Sequence, residues 1–194
     1  MPDAEPIAVP SPAELNAMSP DAFAAALRLL FEGGDGFLRR LAGARPFATD
    51  AELLAAAHEV AAGMPKEEQI ELVNAHPRIG ADPAGLSAMS ADEQGYPDEA
   101  DAEPPPDAPV DFVSEELANL NDIYERRFDF RYVVFVAGRP RSEIIPLMEH
   151  ALRNDRDAEL RRGVQDVVYI AADRLRMIRG PVEDEETPPV EDTQ

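Results

Sequence analysis

The feature that most constrains this sequence is the helical spacing of its apolar side chains. Apolar residues recur three and four positions apart along most of the chain, as they do when one face of an α-helix is buried. Capping residues stand before several of these segments, and a proline follows Ser11 and Ser19 at the first helical position. The predicted helices cover 21–31, 50–62, 66–74, 114–128, 142–153 and 157–178. The pattern predicts an all-α protein, with a single multi-helix domain over residues 13–179.

One segment departs from the helical pattern. Residues 130–136 read Phe-Arg-Tyr-Val-Val-Phe-Val, and Ala-Gly-Arg-Pro follows them. Aromatic and β-branched residues favour extended backbone. Because the chain offers no obvious partner strand, we expect one buried extended segment wedged between helices.

Three stretches are rich in proline and acidic residues and poor in large apolar side chains. Two of them are the termini, residues 1–12 and 180–194, which we predict to be disordered acidic tails. The third is internal, at about 96–109, and its prolines are incompatible with regular helix. We interpret it as an acidic insertion loop rather than a domain boundary, because the chain on each side of it is short.

The charge of the chain limits its partners. The sequence has 39 Asp and Glu against 18 Lys and Arg, a formal net charge of −21, which argues against nucleic acid or an anionic membrane surface. No apolar run approaches the roughly 18 residues of a membrane span, and the N-terminus lacks the pattern of a signal peptide, so we expect a cytoplasmic protein. Lys66 is the only lysine. This composition fits adaptation to high salt, and it equally fits a GC-rich genome with acidic tails.

The candidate chemical groups are histidine, glutamate and arginine, because the chain has no cysteine. His58 and His150 lie within predicted helices, where a structural role is expected. His76 follows a predicted helix and precedes Pro77 and an irregular stretch, where sites tend to be built, although a capping histidine is an alternative. The chain has no H-x-x-x-H, H-E-x-x-H or G-x-S-x-G motif and no Gly-rich phosphate loop. We therefore expect acid–base chemistry without a metal or an organic cofactor.

Two further features each allow two interpretations. The sequence Ser90-Ala-Asp-Glu93-Gln94 fits a capping box in which Ser90 starts a helical turn and Glu93 folds back onto it. A helix N-terminus can also present its N–H groups to an anion. Arg174 lies among apolar neighbours on the long last helix, where a snorkelling surface arginine is the structural interpretation. Spacing alone leaves these alternatives open.

At these residues the chain resembles the OHCU (2-oxo-4-hydroxy-4-carboxy-5-ureidoimidazoline) decarboxylase family. The resemblance runs from about Met18 to Ile178, and its pieces occur in the order and spacing of the family apart from the acidic loop. The pieces are LFEGGDGFLRRLAGARPFATDAELLAAA, AHPRIG (75–80), SADEQ (90–94), LNDIYERRFDF (120–130) and the final RND…IAADRL. AHP alone is a weak signal, whereas the ordered set is specific.

The resemblance implies a commonly dimeric, all-α carboxy-lyase that converts a small-molecule substrate, OHCU, to (S)-allantoin in urate degradation without a cofactor. His76, Glu93 and Arg174 fall on the catalytic positions of the family. His76 would donate a proton to the carbon left by CO2, Glu93 would hold the imidazole or substrate N–H groups, and Arg174 would bind a substrate oxygen. The implied substrate-binding residues are Pro77, Ser90, Ala91, Asp92, Gln94, Tyr132, Val133, Val134, Phe135 and Val136.

Two features depart from the family pattern. Asp129 and Arg131 stand where the family usually has the glycine and proline of a Phe-Gly-Phe-Pro-Phe run, and the acidic insertion replaces Ala-Gly-Leu after Glu93 and Gln94. Charges beside the pocket could change the substrate preference. Two other functions therefore stay open. One is a cofactor-free lyase or hydrolase for a related ureido or imidazoline compound, with Arg131 setting specificity. The other is a non-enzymatic helical module that binds a partner through its acidic loop.

Overall fold

Helices form all the regular secondary structure of the computed structural model, which describes residues 8–81, 86–94 and 112–180. In chain order they are α1 (Pro12–Ala17), α2 (Pro20–Phe31), α3 (Asp35–Gly43), α4 (Asp50–Gly63), α5 (Lys66–Asn74), α6 (Ala88–Glu93), α7 (Phe112–Phe128), α8 (Arg141–Ala151) and α9 (Arg156–Arg179). The all-α prediction is confirmed. The predicted insertion at 96–109 lies outside the described residues, as do residues 1–7 and 181–194 of the predicted tails.

The predicted caps begin the helices where the sequence places them. The hydroxyls of Ser19 and Thr49 accept backbone N–H groups of the first turns of α2 and α4. Ser11 forms a complete capping box with Glu14, so that α1 begins at Pro12, one residue before the predicted domain boundary. The carbonyl of Pro10 accepts a hydrogen bond from Arg179, which attaches this part of the N-terminal stretch to the end of α9.

The core is built around α9, which spans 24 residues and packs against α2, α4 and α5. Its apolar face is buried as the spacing predicts, at Leu160, Val164, Val167, Val168, Ala171 and Leu175. Helix α3 packs against α2, α4 and α5, and α7 packs against α8. Within the described ranges, no helix is long and apolar enough to cross a membrane.

Helix α3 is absent from the predictions, and its start explains why. Gly34 occupies the N-cap position and has no side chain with which to cap the helix, so the usual sequence signal is missing. The turn before α3 is tight: Glu32, Gly33 and Gly34 all have positive φ angles, of 50°, 113° and 68°. A Cβ atom on Gly34 would lie 2.7 Å from Cδ1 of Leu72 on backbone with a positive φ angle, so any other residue would be strained here.

The segment 131–136 is extended and makes no strand pairing within the described residues, which confirms the prediction of one buried extended segment. Tyr132, Val133 and Val136 are buried. The segment is attached to α9 because Arg162 donates a hydrogen bond to the carbonyl of Val133 at 2.7 Å, and the N–H of Phe135 donates to Asp166 at 3.3 Å. Side-chain partners thus take the place of a neighbouring strand.

Candidate active site

A pocket with a cavity volume of about 210 Å³ lies between the end of α5, helix α6, the extended segment and α9. It brings together residues that are up to about a hundred positions apart in the sequence. The predicted site residues that line it are His76, Pro77, Ser90, Glu93, Gln94, Tyr132, Val133, Val134, Phe135, Val136 and Arg174. The side chains of Ala91 and Asp92 lie outside the described part of the structure.

His76 is the buried imidazole of this pocket, with 3% of its surface exposed. Its Nδ1 lies 3.4 Å from the carbonyl oxygen of Leu72. Because a carbonyl only accepts, this contact assigns the proton to Nδ1, while Nε2 has no hydrogen-bond partner among the described residues. Burial, helped by the nearby charge of Arg174, lowers the pKa of His76 from 6.5 to about 4. The imidazole is therefore neutral at neutral pH.

The other two histidines lie away from this pocket. His58 is half-buried on α4, with its ring edge-on to Tyr169 at 5.3 Å, and His150 is exposed in the last turn of α8. Both positions agree with the structural roles predicted for them.

Arg174 and Glu93 form a bidentate ion pair in the wall of the pocket. Nε and Nη2 of Arg174 donate to Oε1 and Oε2 of Glu93 at 2.6 and 2.7 Å. Arg174 is 1% exposed, so the interpretation as a snorkelling surface residue is wrong. Burial raises the pKa of Glu93 even though Arg174 acts in the opposite direction.

Every nitrogen atom of the Arg174 guanidinium has a protein partner. Besides the two contacts to Glu93, Nη2 donates to Oγ of Ser90 at 3.0 Å, and Nη1 donates to the carbonyl of Leu29 at 2.8 Å. Nη1 also lies 2.9 Å from Oε1 of Glu32. The side chain is thus held rigidly and has no nitrogen left over for a ligand.

The capping interpretation of Ser90 and Glu93 is wrong. Helix α6 begins two residues earlier, and Oγ of Ser87 accepts the N–H of Ser90 at 3.1 Å as a cap would. Ser90 is a buried residue inside the helix, and Glu93 pairs with Arg174 instead of folding back. Gln94 closes this side by accepting the N–H of Gly80 at 2.8 Å.

Glu32 is a site residue that the sequence patterns do not reveal. Its Oε1 accepts the hydroxyls of Ser90 and Ser87 at 2.5 and 3.0 Å and forms the ion pair with Arg174. Burial acts to raise the pKa of Glu32, but these hydrogen bonds and the charge of Arg174 outweigh it and hold the pKa below its usual range. The only local signal is a glutamate directly before Gly33, at a helix end where glycine is more common.

The extended segment offers backbone groups to the pocket. Arg162 of α9 binds the backbone carbonyl of Val133, and Asp166 binds the backbone N–H of Phe135. These two residues are the neighbours of Val134 in the sequence. Successive residues of an extended chain direct their backbone groups to opposite sides. The N–H and C=O of Val134, which lines the pocket, make no hydrogen bond within the described ranges, so they can receive a ligand.

Arg131 is directed away from the described lining of the pocket. Its Nη1 donates to the carbonyls of Asn74 and His76, at 2.9 Å each, and its backbone N–H donates to Oδ1 of Asn74 at 2.8 Å. Arg131 therefore binds carbonyls at the C-terminal end of α5, where a cation is favourable. Asp129 has a φ angle of 62°, a conformation in which glycine is the usual residue.

Metal-binding side chains do not gather at this site. Over the residues that the structure describes, no group of three His, Asp or Glu side chains is arranged to hold a metal ion. The groups of the pocket are an imidazole, carboxylates, hydroxyls and backbone amides, which suit proton transfer and hydrogen bonding.

Comparison with known proteins identifies relatives that are named for OHCU decarboxylation or for uric acid degradation. A sequence profile of the OHCU decarboxylase family matches residues 16–176. The 2-oxo-4-hydroxy-4-carboxy-5-ureidoimidazoline decarboxylase of Haloferax volcanii is 26% identical over 166 residues, covering 84% of this chain and 92% of the relative. The uric acid degradation bifunctional protein of Bacillus sp. (strain TB-90) is 25% identical over 177 residues, covering 85% of this chain. This chain spans only 31% of the length of that bifunctional protein.

Solved structures share the fold. A crystal structure of OHCU decarboxylase in the presence of (S)-allantoin superposes with a TM-score of 0.62 at 17% identity, covering 83% of this chain and 98% of that one. A crystal structure of (S)-allantoin synthase gives a TM-score of 0.59 at 15% identity, covering 87% of this chain and 54% of that one.

Fold and site together define a helical protein with a buried acid–base pocket built from histidine, glutamate and arginine. The profile match covers most of the chain. This protein belongs to the OHCU decarboxylase family.

Proposed function

We propose that this protein decarboxylates OHCU to (S)-allantoin as a step of urate degradation, without a metal or an organic cofactor. The observation that carries the proposal is the content of the pocket. It contains the buried, neutral imidazole of His76 and the carboxylate of Glu93, which the buried Arg174 holds, in a chain that belongs to the family. The small volume of the pocket suits a single-ring substrate.

The bond changes of this reaction define what the site must supply. In OHCU one ring carbon carries the carboxylate and a hydroxyl, and the neighbouring ring carbon carries the ureido group and a C=N bond. When the carboxylate leaves as CO2, its electron pair forms a C=C bond between the two carbons, and the C=N electrons move to the ring nitrogen, which takes a proton. The hydroxyl then loses its proton to become a carbonyl, and the ureido-bearing carbon gains one. Overall, the reaction consumes one substrate carboxylate and one proton, and it produces one allantoin and one CO2.

This balance changes the role predicted for His76. The proton that fixes the stereochemistry goes to the ureido-bearing carbon, one atom away from the carbon that CO2 leaves. Because the pKa of His76 is about 4, the free site holds a neutral imidazole whose Nε2 is an acceptor. We expect Nε2 to take the hydroxyl proton and to return it to the neighbouring carbon, so that His76 is a base before it is the proton donor.

Glu93 is the second acid–base group of the proposal. Burial raises its pKa and so brings the carboxyl group closer to the protonated form, which we expect to give a proton to the ring nitrogen while the C=C bond forms. Arg174 would act through Glu93, because the protein already engages each of its nitrogen atoms. We expect the N–H and C=O of Val134 to bind the ureido group, which carries both donors and acceptors.

The experiment is a coupled assay in which urate, a uricase and a hydroxyisourate hydrolase generate OHCU. We expect this protein to accelerate the appearance of the circular dichroism of (S)-allantoin over spontaneous decay. Wild-type protein that leaves the spontaneous rate unchanged, or that yields racemic allantoin at the same rate, would refute the proposal.

We further propose that the protein is a cytoplasmic homodimer and that its acidic surface serves a high-salt environment. The net charge of −21 with a single lysine supports the last point, since salt screens the mutual repulsion of carboxylates. Light scattering after size exclusion tests the dimer. Thermal unfolding tests the salt adaptation, which predicts a higher melting temperature in molar KCl than in dilute buffer.

A further inference from the structure

The proposed chemistry gives no task to the carboxylate of Glu32, which contacts the pocket residues Arg174 and Ser90. Asp173, another carboxylate without a task in that chemistry, pairs with Arg176 one turn along α9. Glu32 follows the last residue of α2, and its side chain is 18% exposed. Its Oε1 receives Nη1 of Arg174 at 2.9 Å and the hydroxyls of Ser90 and Ser87. It therefore connects the end of α2 to α6 and α9, the two helices that carry Glu93 and its partner.

Glu32 and Glu93 share one arginine from opposite sides. Nε and Nη2 of Arg174 face Glu93, whereas Nη1 faces Glu32. With His76 neutral, the three charges sum to −1, and the substrate proposed for this pocket is an anion. One of the two carboxyl groups must take up a proton, or the site must tolerate two adjacent negative charges in a buried volume.

We propose that Glu32 is a positioning residue for the proposed reaction: its carboxylate orients Arg174 and Ser90, and its charge makes Glu93 the carboxyl group that receives the proton. This inference rests on the proposed function for its kinetic consequences. It rests on the contacts of Glu32 alone for its electrostatic ones.

The hydrogen bonds decide which of the two carboxyl groups stays ionised. Glu32 accepts two hydroxyl donors in addition to Arg174, whereas Glu93 accepts hydrogen bonds from two nitrogen atoms of Arg174 among the described residues. Glu93 is also faced by the negative charges of Glu32 and Asp173. Burial together with these charges raises the pKa of Glu93, while the donors hold that of Glu32 low.

The test removes the charge of Glu32 and keeps its shape. Glu32→Gln retains an oxygen that can accept from the two serines and Arg174, whereas Glu32→Ala removes both the charge and the contacts. Glu68→Gln is the matched control, because Glu68 pairs with Arg40 in a bidentate contact at 2.6 Å on the surface, away from the pocket.

The first readout needs no catalysis. The side-chain carboxyl carbons of glutamate are labelled with carbon-13, and the Glu93 resonance is assigned by its loss in Glu93→Gln. We expect Glu93 to titrate at lower pH in Glu32→Gln than in the wild type, because Arg174 then has Glu93 as its only carboxylate partner. Glu68→Gln should leave the titration in place. An unchanged Glu93 titration in Glu32→Gln overturns the electrostatic role, whether or not OHCU is the substrate.

The second readout is kinetic. In Glu32→Gln we expect kcat to fall on the order of tenfold, because a smaller fraction of the protein then carries protonated Glu93. KM should not rise, because a negative charge near an anionic substrate has been removed. The limb of the pH profile that reports Glu93 should move to lower pH. The proposal is overturned if Glu32→Gln folds and keeps the wild-type kcat. It is also overturned if kcat and KM of Glu32→Gln change by the same factors as those of Glu32→Ala.

A second substitution keeps the test decisive should Glu32→Gln fold poorly. Ser87→Ala removes one of the hydroxyls that hold the Glu32 carboxylate ionised. We expect a smaller shift of the Glu93 titration in the same direction. No shift, with the fold intact by circular dichroism, would count against the role of Glu32. Wild-type protein with no OHCU activity would refute the proposed function and leave the carbon-13 titration as the deciding measurement for Glu32.

Discussion

The neutral state of His76 predicts a specific dependence of stability on pH. Its pKa is lowered to about 4 in the folded protein by burial, against 6.5 for an ordinary histidine. As the pH falls below 6.5, the unfolded chain binds a proton at this position and the folded protein does not, so the free energy of unfolding decreases. The full effect of this difference is about 3 kcal/mol, of which about 2 kcal/mol has been lost at about pH 5. The stability that His76 contributes is thus present above pH 6.5 and is lost towards pH 4.

The assay is urea unfolding of the wild type and His76→Gln between about pH 8 and pH 5. We expect the free energy of unfolding of the variant to fall less over this range than that of the wild type, by about 2 kcal/mol. His150→Gln is the control for loss of an imidazole, since His150 is exposed. Parallel curves for the wild type and His76→Gln would refute the neutral, buried imidazole and with it the base role of His76.

Three further variants test the contacts that hold the site and the fold. Arg174→Met leaves the partly buried carboxylates of Glu32 and Glu93 without their partner. We therefore expect the free energy of unfolding to fall by about 3–5 kcal/mol, or the melting temperature by about 6–20 °C; a loss below about 1 kcal/mol would contradict the buried ion pair. Gly34→Ala places a Cβ atom 2.7 Å from Leu72 at a positive φ angle, and should cost about 1–3 kcal/mol by calorimetry. Changing Asp129 to Gly and Arg131 to Pro removes three hydrogen bonds to the end of α5, so we expect stability to fall by about 1–3 kcal/mol and activity on OHCU not to rise. A clear gain in that activity would support a specificity role for Arg131.

Some of the predicted helices have both a side-chain cap and an apolar face, whereas α5 and α8 are predicted although Pro65 and Pro140 at their N-caps make no side-chain cap hydrogen bond. Ser11, Ser19 and Thr49 are recognisable as N-caps in the sequence, and in the structure their hydroxyls accept backbone N–H groups at the helix starts. Helix α3 escapes prediction because Gly34 offers no such signal, and its glycine is required instead by the close approach of Leu72. Local rules thus find helices that have a cap or a long periodic apolar face, and miss the short helix α3, whose start lies in a glycine turn packed against Leu72.

The residues of the site also include some that the sequence indicates and some that only the structure reveals. The resemblance points to His76, Glu93 and Arg174, and the structure brings these three side chains to one pocket. Spacing alone could not decide between the alternatives for Arg174 and Glu93, because these two residues pair with each other across about 80 positions of the chain. Glu32 has only a weak local signal, a glutamate directly before Gly33, because its importance comes from where α2 ends against α6 and α9.

The most direct test of the central claim compares His76→Gln and His150→Gln in the coupled assay, following the circular dichroism of (S)-allantoin. We expect His150→Gln to retain the wild-type rate and His76→Gln to lose on the order of 100-fold or more in kcat, because an acid–base group is removed. The allantoin that does form with His76→Gln should be racemic, because its protonation then takes place in solution. Wild-type rate and (S)-stereochemistry in His76→Gln would contradict the account.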